Sequence, residues 1–368
     1  MNNRAEQLLE YAKIIKDTPY ALRTYLQTYD NTQKKYVPMD LFPDQIQLIQ
    51  DYENYNENIT KKYRQAGVTT VTAAWLSKKL QLAKPENPER ILIIANKRDT
   101  AIEMANKVRH FIDQWPEWIN VGFSPDKNSE SRFRLNNGCE VKAVATSPDA
   151  LRGFTPTILV FDEAAYIDAG EDFWAASMAS LSTGGKIILI STPNGMDELY
   201  YKTFEQSKSG DNDFHVIEMK WYQDPRYNGY NNGGNDLTWI HEDNENDQLV
   251  EVEFTHEHYE EMVKKGYKAT SKWYRSMCRG MNNNKRMIAQ ELDVSFIGSG
   301  GNVIDDEFIE FHEKMYSYVE PISITPFTQK AVDRYMGLYL ATLIRHTTIF
   351  AERTSANLIS TIDKTDLS

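Results

Sequence analysis

Thr157-Ile158-Leu159-Val160-Phe161-Asp162-Glu163 is the stretch on which the fold turns. Its unbroken run of β-branched and large apolar residues predicts a strand covered on both faces, as strands of a parallel sheet are, and two carboxylates fall where the strand ends. Two similar runs, Ile91 to Ile94 and Ile187 to Ile190, also lead into helical stretches. That alternation between Thr60 and Tyr200 is the rhythm of a doubly wound, mostly parallel α/β sheet. Ligands of such sheets meet the carboxyl ends of the strands, which makes Asp162 and Glu163 candidates for chemistry. The plainer alternative is a strand followed by an acidic helix cap.

Roughly 95 positions before the carboxylates, Lys61-Lys62-Tyr63-Arg64-Gln65-Ala66-Gly67-Val68-Thr69-Thr70 leads into a helix expected from about Thr70 through Leu80. Backbone N–H groups at a helix start cradle oxyanions, Gly67 permits close backbone approach, and the Thr69 hydroxyl can ligate magnesium. The usual phosphate loop reads G-x-x-x-x-G-K-[ST], whereas here Val68 stands at the lysine position and Lys62 at the first glycine. Lys61, Lys62 and Arg64 are therefore the cations available to phosphate. Asp162 then suits the magnesium-holding carboxylate of a Walker B strand, and Glu163 the group that orients and deprotonates water. The third run ends in Ser191-Thr192-Pro193-Asn194-Gly195, small polar groups that could sense a terminal phosphate, with a simple Pro-Asn-Gly turn as the alternative.

The 368 residues, 41% hydrophobic and 26% charged, suffice for about two to three folding units with a sizeable core. Forty-one Lys and Arg against 53 Asp and Glu leave a net charge of -12, so any nucleic-acid contact requires a local basic surface. Cys139 and Cys278 indicate neither a disulfide framework nor a zinc site and fit a reducing cytosol. The amphipathic start lacks a signal core, and Met336 to Ile344 is shorter than the roughly 20 residues a span needs. A cytoplasmic protein without a membrane segment is expected.

Ala5, Leu8, Leu9 and Ala12 recur at helical spacing, and Thr18 before Pro19 predicts the cap of a second helix. Asn137-Gly138 between Arg132–Leu135 and Cys139–Val144 predicts an antiparallel hairpin that offers Arg132, Arg134 and Lys142 as exposed cations. Asp224 to Gln248, rich in Asn, Gly and Asp, reads as a long loop without packed core. Helical patterning returns from Thr255 to Leu292, and Gly298-Ser299-Gly300-Gly301 reads as a connection. Trp115, Trp118, Trp174, Trp221 and Tyr222 read as core or subdomain packing rather than as base-stacking platforms.

In this order and combination the chain resembles the ATPase half of the large terminase subunit of tailed bacteriophages, T-even-like ones in particular, over about Leu41 to Gly300. The most specific pieces are Arg64 to Thr70, Ser147-Pro148-Asp149-Ala150-Leu151-Arg152-Gly153, Val160 to Glu163 and Ser191 to Gly195. The resemblance implies a P-loop NTPase of the ASCE type with a small, mainly helical lid, using ATP and Mg2+. It implies a motor that threads double-stranded DNA into a preformed capsid without sequence preference. Such a motor works as a homo-oligomeric ring docked on the portal ring, with the small terminase subunit as partner. It acts in the cytoplasm of the infected host cell, transiently on the procapsid, and is absent from the mature virion.

The same resemblance assigns roles. Gln45 contacts adenine, Lys62 is the displaced loop lysine, and Arg64, Gln65, Gly67, Val68, Thr69 and Thr70 complete the ATP-binding loop. Thr69 and Asp162 hold magnesium, Glu163 and Arg152 are catalytic, with Arg152 reaching a neighbouring subunit's ATP, and Ser191, Thr192 and Pro193 couple hydrolysis to movement. The expected division is 1–30 an N-terminal helical segment joined to the lid, 31–210 the ATPase core, 211–300 the lid and linker with a flexible insertion, and 301–368 a truncated or divergent segment. Family members continue into a ribonuclease-H-like nuclease with carboxylates on two metals. Asp305, Asp306, Glu307 and Glu310 read instead as an acidic helix start, and about forty residues after Pro326 are too few for that domain, so nuclease activity is not expected. A helicase-like translocase, or a hydrolysis-impaired docking or regulatory subunit suggested by Val68, are the alternatives.

Overall fold

The chain folds into helices and strands in the succession that its apolar runs require. The structure, a computed structural model, describes residues 4–30, 33–126, 128–147, 150–151, 153–167, 171–181, 184–196, 199–228, 237–241, 249–251 and 256–296. First come the helices α1 (Arg4–Lys16) and α2 (Thr18–Tyr25) and the hairpin strands β1 (Gln27–Asp30) and β2 (Lys35–Pro38). The α/β succession follows with α3 (Pro43–Asn54), β3 (Glu57–Lys62), α4 (Val68–Leu82), β4 (Arg90–Ala95), α5 (Arg98–Gln114), β5 (Arg132–Arg134) and β6 (Glu140–Ala145). It continues with β7 (Ile158–Asp162), α6 (Glu171–Ser180), β8 (Lys186–Ser191), α7 (Leu199–Ser209) and β9 (His215–Met219). Then come β10 (Thr238–His241), β11 (Leu249–Glu251), α8 (His256–Lys264), β12 (Tyr267–Thr270), α9 (Lys272–Gly280) and α10 (Lys285–Ile288), which runs into a π-helical turn, Ala289–Asp293.

Among the described residues the main sheet has seven strands in the order β5-β6-β4-β7-β8-β3-β9. Every neighbouring pair is parallel except β5 with β6. Parallel strands need crossovers on both faces, so each must be apolar on both sides. In β4, Ile91 and Ile93 join a core layer with Val160, Ile188 and Trp75, whereas Leu92 and Ile94 join the other layer with Leu159, Phe161 and Phe204. Each fully buried side chain of this kind is worth roughly 1.5–3 kcal/mol. The helix α4 is buried continuously from Val71 through Lys78, which is why its sequence lacks a polar stripe. The result is a doubly wound, mostly parallel α/β fold in which β8 lies between β3 and β7.

Several expectations need correction. Asp17, not Thr18, caps α2, its carboxylate accepting from Tyr20 N at 2.9 Å, while Thr18 is buried against Glu53 and Lys78. The stripe Ala5, Leu8, Leu9, Ala12 faces outward, because Glu10 and Ile14 take the inner side of α1. Glu10 can be buried there since the hydroxyls of Tyr20 and Tyr25 donate to it at 2.6 and 2.8 Å. The main sheet extends past the boundary expected at 210, because β9 pairs alongside β3. Between Asp224 and Gln248, Asp224, Asn228, Leu237 and Trp239 are buried, so this stretch contributes core; 229–236 and 242–248 lie outside the described residues. The helical stretch from 255 to 292 is interrupted by β12, which pairs antiparallel with β10. The hairpin forms around Asn137-Gly138, but its cations are not free: Arg132 and Arg134 both hold the buried Glu140, and Lys142 Nζ donates to Ala150 O at 3.3 Å. Trp115 and Trp221 are buried, and Trp118, Trp174 and Tyr222 are partly buried against the core. Among the described residues no helix is long and apolar enough to cross a membrane.

Candidate active site

Strand alternation sorts the two lysines at the end of β3 onto opposite faces. Lys61 shares the face of Ile59, with its Nζ 4.4 and 4.9 Å from the Phe204 and Phe296 ring centroids and 3.5 Å from Glu218 Oε2. Burial pulls the Lys61 pKa down to about 8. Against its own burial, the charges of Lys220 and Lys61 and a bond from Lys208 hold Glu218 down to about 2. Lys62 emerges on the other face, where its Nζ meets Glu163 Oε1 at 3.3 Å and its side chain is only 8% exposed.

Between β3 and α4 the backbone turns through two left-handed residues, Gln65 (φ 67) and Gly67 (φ 78). Gly67 suits the turn because its φ favours glycine, and a Cβ there, 2.8 Å from Gln45 Nε2, would oblige that amide to shift. Gln45 pins the start of α3 to the loop, its Oε1 accepting from Phe42 N at 3.2 Å and its Nε2 donating to Ala66 O at 3.0 Å. On the other side Arg226 donates to Gln65 O at 3.0 Å, pairs with the buried Asp224 at 2.6 Å, and lies 4.8 Å from the ring centroids of both Phe42 and Tyr227. The Tyr63 hydroxyl donates to the same Asp224. Val68 packs into the core rather than into the loop, and Thr70 lies half-buried in the first turn of α4.

At the end of β7 the Thr69 hydroxyl donates to Asp162 Oδ1 at 3.2 Å. Burial foremost, and then the charge of Glu163, push the Asp162 pKa up to about 6 against the pull of Lys62 and Thr69. Glu163 sits in the left-handed region at φ 55, a strained conformation of the kind found at functional strand ends. The turn that follows it is laced to the end of β8. Ser191 Oγ accepts from Ala165 N at 3.0 Å, Thr192 Oγ1 bonds the Tyr166 hydroxyl at 3.1 Å, and Asn194 Nδ2 donates to Ala165 O at 3.1 Å. Pro193 is buried beside them.

Lys62, Thr69, Asp162 and Glu163 thus converge, with Gln45, Gln65 and Gly67 shaping the loop beside them. Arg64 is engaged by Glu291, its Nη1 3.1 Å from Glu291 Oε2 and its backbone N donating to Glu291 O at 2.8 Å, within reach of the Glu163 charge. Arg152, Asp305, Asp306, Glu307 and Glu310 lie outside the described residues. Sequence reading missed Tyr166, Asp224, Arg226, Gln290 and Glu291. Asp224-Pro225-Arg226 carries a local signal, an ion pair across a proline; Glu291, 227 positions from Arg64, carries none. A buried cation beside two carboxylates and a hydroxyl, at the start of a buried helix, can neutralise phosphate oxygens, hold a hard metal ion and take a proton from water.

Sheet order and the loop between β3 and α4 give the chain an α/β fold of the P-loop NTPase type. The chain belongs to the large terminase subunits: residues 62–311, more than half of its length, match the family described as terminase large subunit, T4likevirus-type, N-terminal. It is similar to the Mu-like prophage FluMu protein gp28 of Haemophilus influenzae, 29% identical over 171 residues that make up 43% of this chain and 32% of that protein. It is also similar to the probable terminase, large subunit gp28 of Escherichia phage Mu, 25% identical over 170 residues, 43% of this chain and 30% of that one. The matched part is thus about a third of the length of these curated relatives. Among solved structures, the Thermus phage P74-26 large terminase ATPase domain aligns with 18% identity and a TM-score of 0.42 over 68% of this chain and 92% of that domain. The HK97 bacteriophage large terminase aligns with 17% identity and a TM-score of 0.42 over 55% of this chain and 43% of that one.

Proposed function

We propose that the chain is the ATP-hydrolysing motor subunit that moves double-stranded viral DNA into a preformed capsid. The observation that carries the reading is the convergence of Lys62 on Glu163 at 3.3 Å and of Thr69 on Asp162 at 3.2 Å, at the mouth of a glycine-capped buried helix. Glu163, half-exposed at its strand end, takes a proton from the attacking water, while Lys62 offsets charge on the phosphate oxygens. The donor set fits Mg2+: Asp162 is a buried carboxylate beside a second carboxylate, Glu163, and Thr69, which donates to Asp162 at 3.2 Å, adds a neutral oxygen. When bound, that ion would neutralise the phosphate charge that these side chains leave uncompensated. Gln45 is placed to read the adenine edge once its bond to Ala66 O is exchanged, and Ser191, Thr192 and Pro193 pass the state of Glu163 to the rest of the motor.

In this reading Arg152 completes the site of a neighbouring copy in a ring docked on the portal ring, with the small terminase subunit as a further partner. The work is done in the host cytoplasm and on the procapsid rather than in the mature virion. DNA is held through its backbone by cations such as Lys264, Lys265, Lys268, Lys272, Arg275 and Arg279, so that binding weakens steeply with salt. No cutting is assigned to this chain. Val68 at the usual lysine position favours one rival, a hydrolysis-impaired docking subunit. Magnesium-dependent ATP turnover by the purified chain, stimulated by portal and DNA and unaccompanied by plasmid nicking, supports the motor. Nucleotide binding without turnover under all those conditions assigns the docking role instead.

A further inference from the structure

Two side chains grip successive carbonyl oxygens of the loop between β3 and α4. Gln45 Nε2 donates to Ala66 O at 3.0 Å, and Arg226 Nη2 donates to Gln65 O at 3.0 Å. In a planar trans peptide the carbonyl and the following N–H point in opposite directions, so a held carbonyl also aims the amide behind it. With the Ala66 carbonyl on Gln45, the Gly67 N–H points away from that glutamine. Gln65 at φ 67 and Gly67 at φ 78 supply the left-handed turns from which successive N–H groups form a concavity for anions. Glycine takes such a turn readily. At Gln65 a residue with a full side chain is held there, and contacts from outside must offset the strain.

The grip on Gln65 comes from the segment that follows β9. Asp224, its side chain only 3% exposed, accepts from Arg226 Nη2 at 2.6 Å, from Arg226 Nε at 3.0 Å and from the Arg226 backbone N at 2.8 Å, and it also takes the Tyr63 hydroxyl. One carboxylate thus fixes both the entry of the loop at Tyr63 and the guanidinium that holds Gln65. The next residue, Tyr227, stacks on Trp273 of α9 with ring centroids 4.0 Å apart, and its carbonyl accepts from Ser271 Oγ at 2.9 Å.

We propose that Arg226 is a positioning residue: gripped by Asp224, it fixes the Gln65 peptide in its left-handed turn and keeps the loop shaped for phosphate before nucleotide arrives. The proposal rests on reading the Lys62–Glu163 cluster as an ATP site. A guanidinium serves a carboxylate and a carbonyl at once because its N–H groups are fixed in a planar fork, whereas a lysine ammonium is a point donor without that geometry. The brace therefore needs both Arg226 and Asp224, while a direct contact of Arg226 with nucleotide would need the arginine alone. Since Tyr227 is packed on α9, a displacement of α9 is passed to the loop through the Gln65 peptide.

The test is a titration of the Mg2+ complex of a non-hydrolysable ATP analogue into the wild-type chain, Arg226→Ala, Arg226→Lys, Asp224→Asn and Lys62→Ala, with urea unfolding of each. Arg226→Ala and Arg226→Lys should both bind about 5- to 50-fold more weakly, because lysine keeps the charge but not the fork. Asp224→Asn leaves Arg226 in place but loosely held, and should weaken binding as well. If it fails to fold, the two Arg226 variants, at a side chain 36% exposed, decide the matter. Wild-type affinity in Arg226→Lys overturns the proposal by showing that charge alone matters. Unchanged or tighter binding in Asp224→Asn overturns it by showing a direct contact that Asp224 restrains. A lower unfolding midpoint with unchanged affinity in Arg226→Ala assigns Arg226 to stability alone and also overturns it. Absence of analogue binding to wild type, or binding indifferent to Lys62→Ala, brings down the ATP-site reading and this inference with it. Intact Lys62 dependence with unaltered affinity in the Arg226 variants refutes this inference alone.

Discussion

Replacing Lys62 separates the two lysines of β3. At an effective dielectric constant of about 20, two unit charges about 4 Å apart interact by about 4 kcal/mol. Lys62 would meet phosphates of more than one charge but must share itself with Glu163, which already lies 3.3 Å away. A net loss of about 2–4 kcal/mol on Lys62→Ala corresponds to about 30- to 1000-fold in Kd. The variant also withdraws a charge that now holds the Asp162 pKa down, so that pKa should rise above about 6. Lys61→Ala acts on the other face: it removes contacts with the Phe204 and Phe296 rings and with Glu218, costing about 1–3 kcal/mol of stability. Its nucleotide affinity should stay within about threefold of wild type, since no phosphate contact is lost. Calorimetric titration with the Mg2+ complex of a non-hydrolysable analogue reads the first quantity, and urea unfolding reads the second. Equal, small losses of affinity in both variants would refute the assignment of Lys62 and leave Arg64 as the source of loop charge.

Glu163→Gln should retain nucleotide binding and lose turnover by about 10²–10⁴-fold, because an amide takes no proton from water; a phosphate-release assay on the same preparation that binds analogue checks it. Gly67→Ala should cost about 1–2 kcal/mol in urea unfolding and weaken nucleotide binding, since alanine is strained at φ 78 and its Cβ must displace the Gln45 amide. Glu218→Gln should destabilise at pH 7 by at most about 3 kcal/mol. The folded pKa of Glu218, about 2, lies below its ordinary 4.5, so this contribution is present above pH 4.5 and disappears as pH falls toward 2. Unfolding curves of the two proteins should converge over that window.

The parallel sheet was legible because strands covered on both faces have no polar alternation to blur them. Thr157 to Glu163 and Ile187 to Ser191 could be placed, with their strand ends, from composition alone. The candidate phosphate loop could be located, and the resemblance named Lys62 as its cation; the parity of β3 adds a physical reason for that choice, since it puts Lys61 among aromatic rings and Lys62 beside Glu163. Buried charge misled the reading elsewhere. Glu10 lies on the inner side of α1 because two tyrosines from α2 satisfy it, and Arg132 and Arg134 lose their freedom to Glu140 across the hairpin, a pairing that the Asn137-Gly138 register already contained. Trp239 was hidden by its setting, since the surrounding asparagines and glycines outweigh one buried indole in any compositional window. Contacts such as Arg64 with Glu291 join distant segments and leave no periodic trace.

The order of the main sheet also bears on how copies of the chain can meet. Among the described residues its border strands are β5, three residues long, and β9, where Glu218 lies among Lys61, Lys208 and Lys220. A short border and a charged one are the devices by which sheets refuse an additional strand, since a neighbour's backbone would have to strip these charges of water. Copies packed at high local concentration are thereby steered away from continuous cross-molecule sheets, which are hard to reverse. Contacts between them are left to helices, loops and side chains, whose grip can be released and remade.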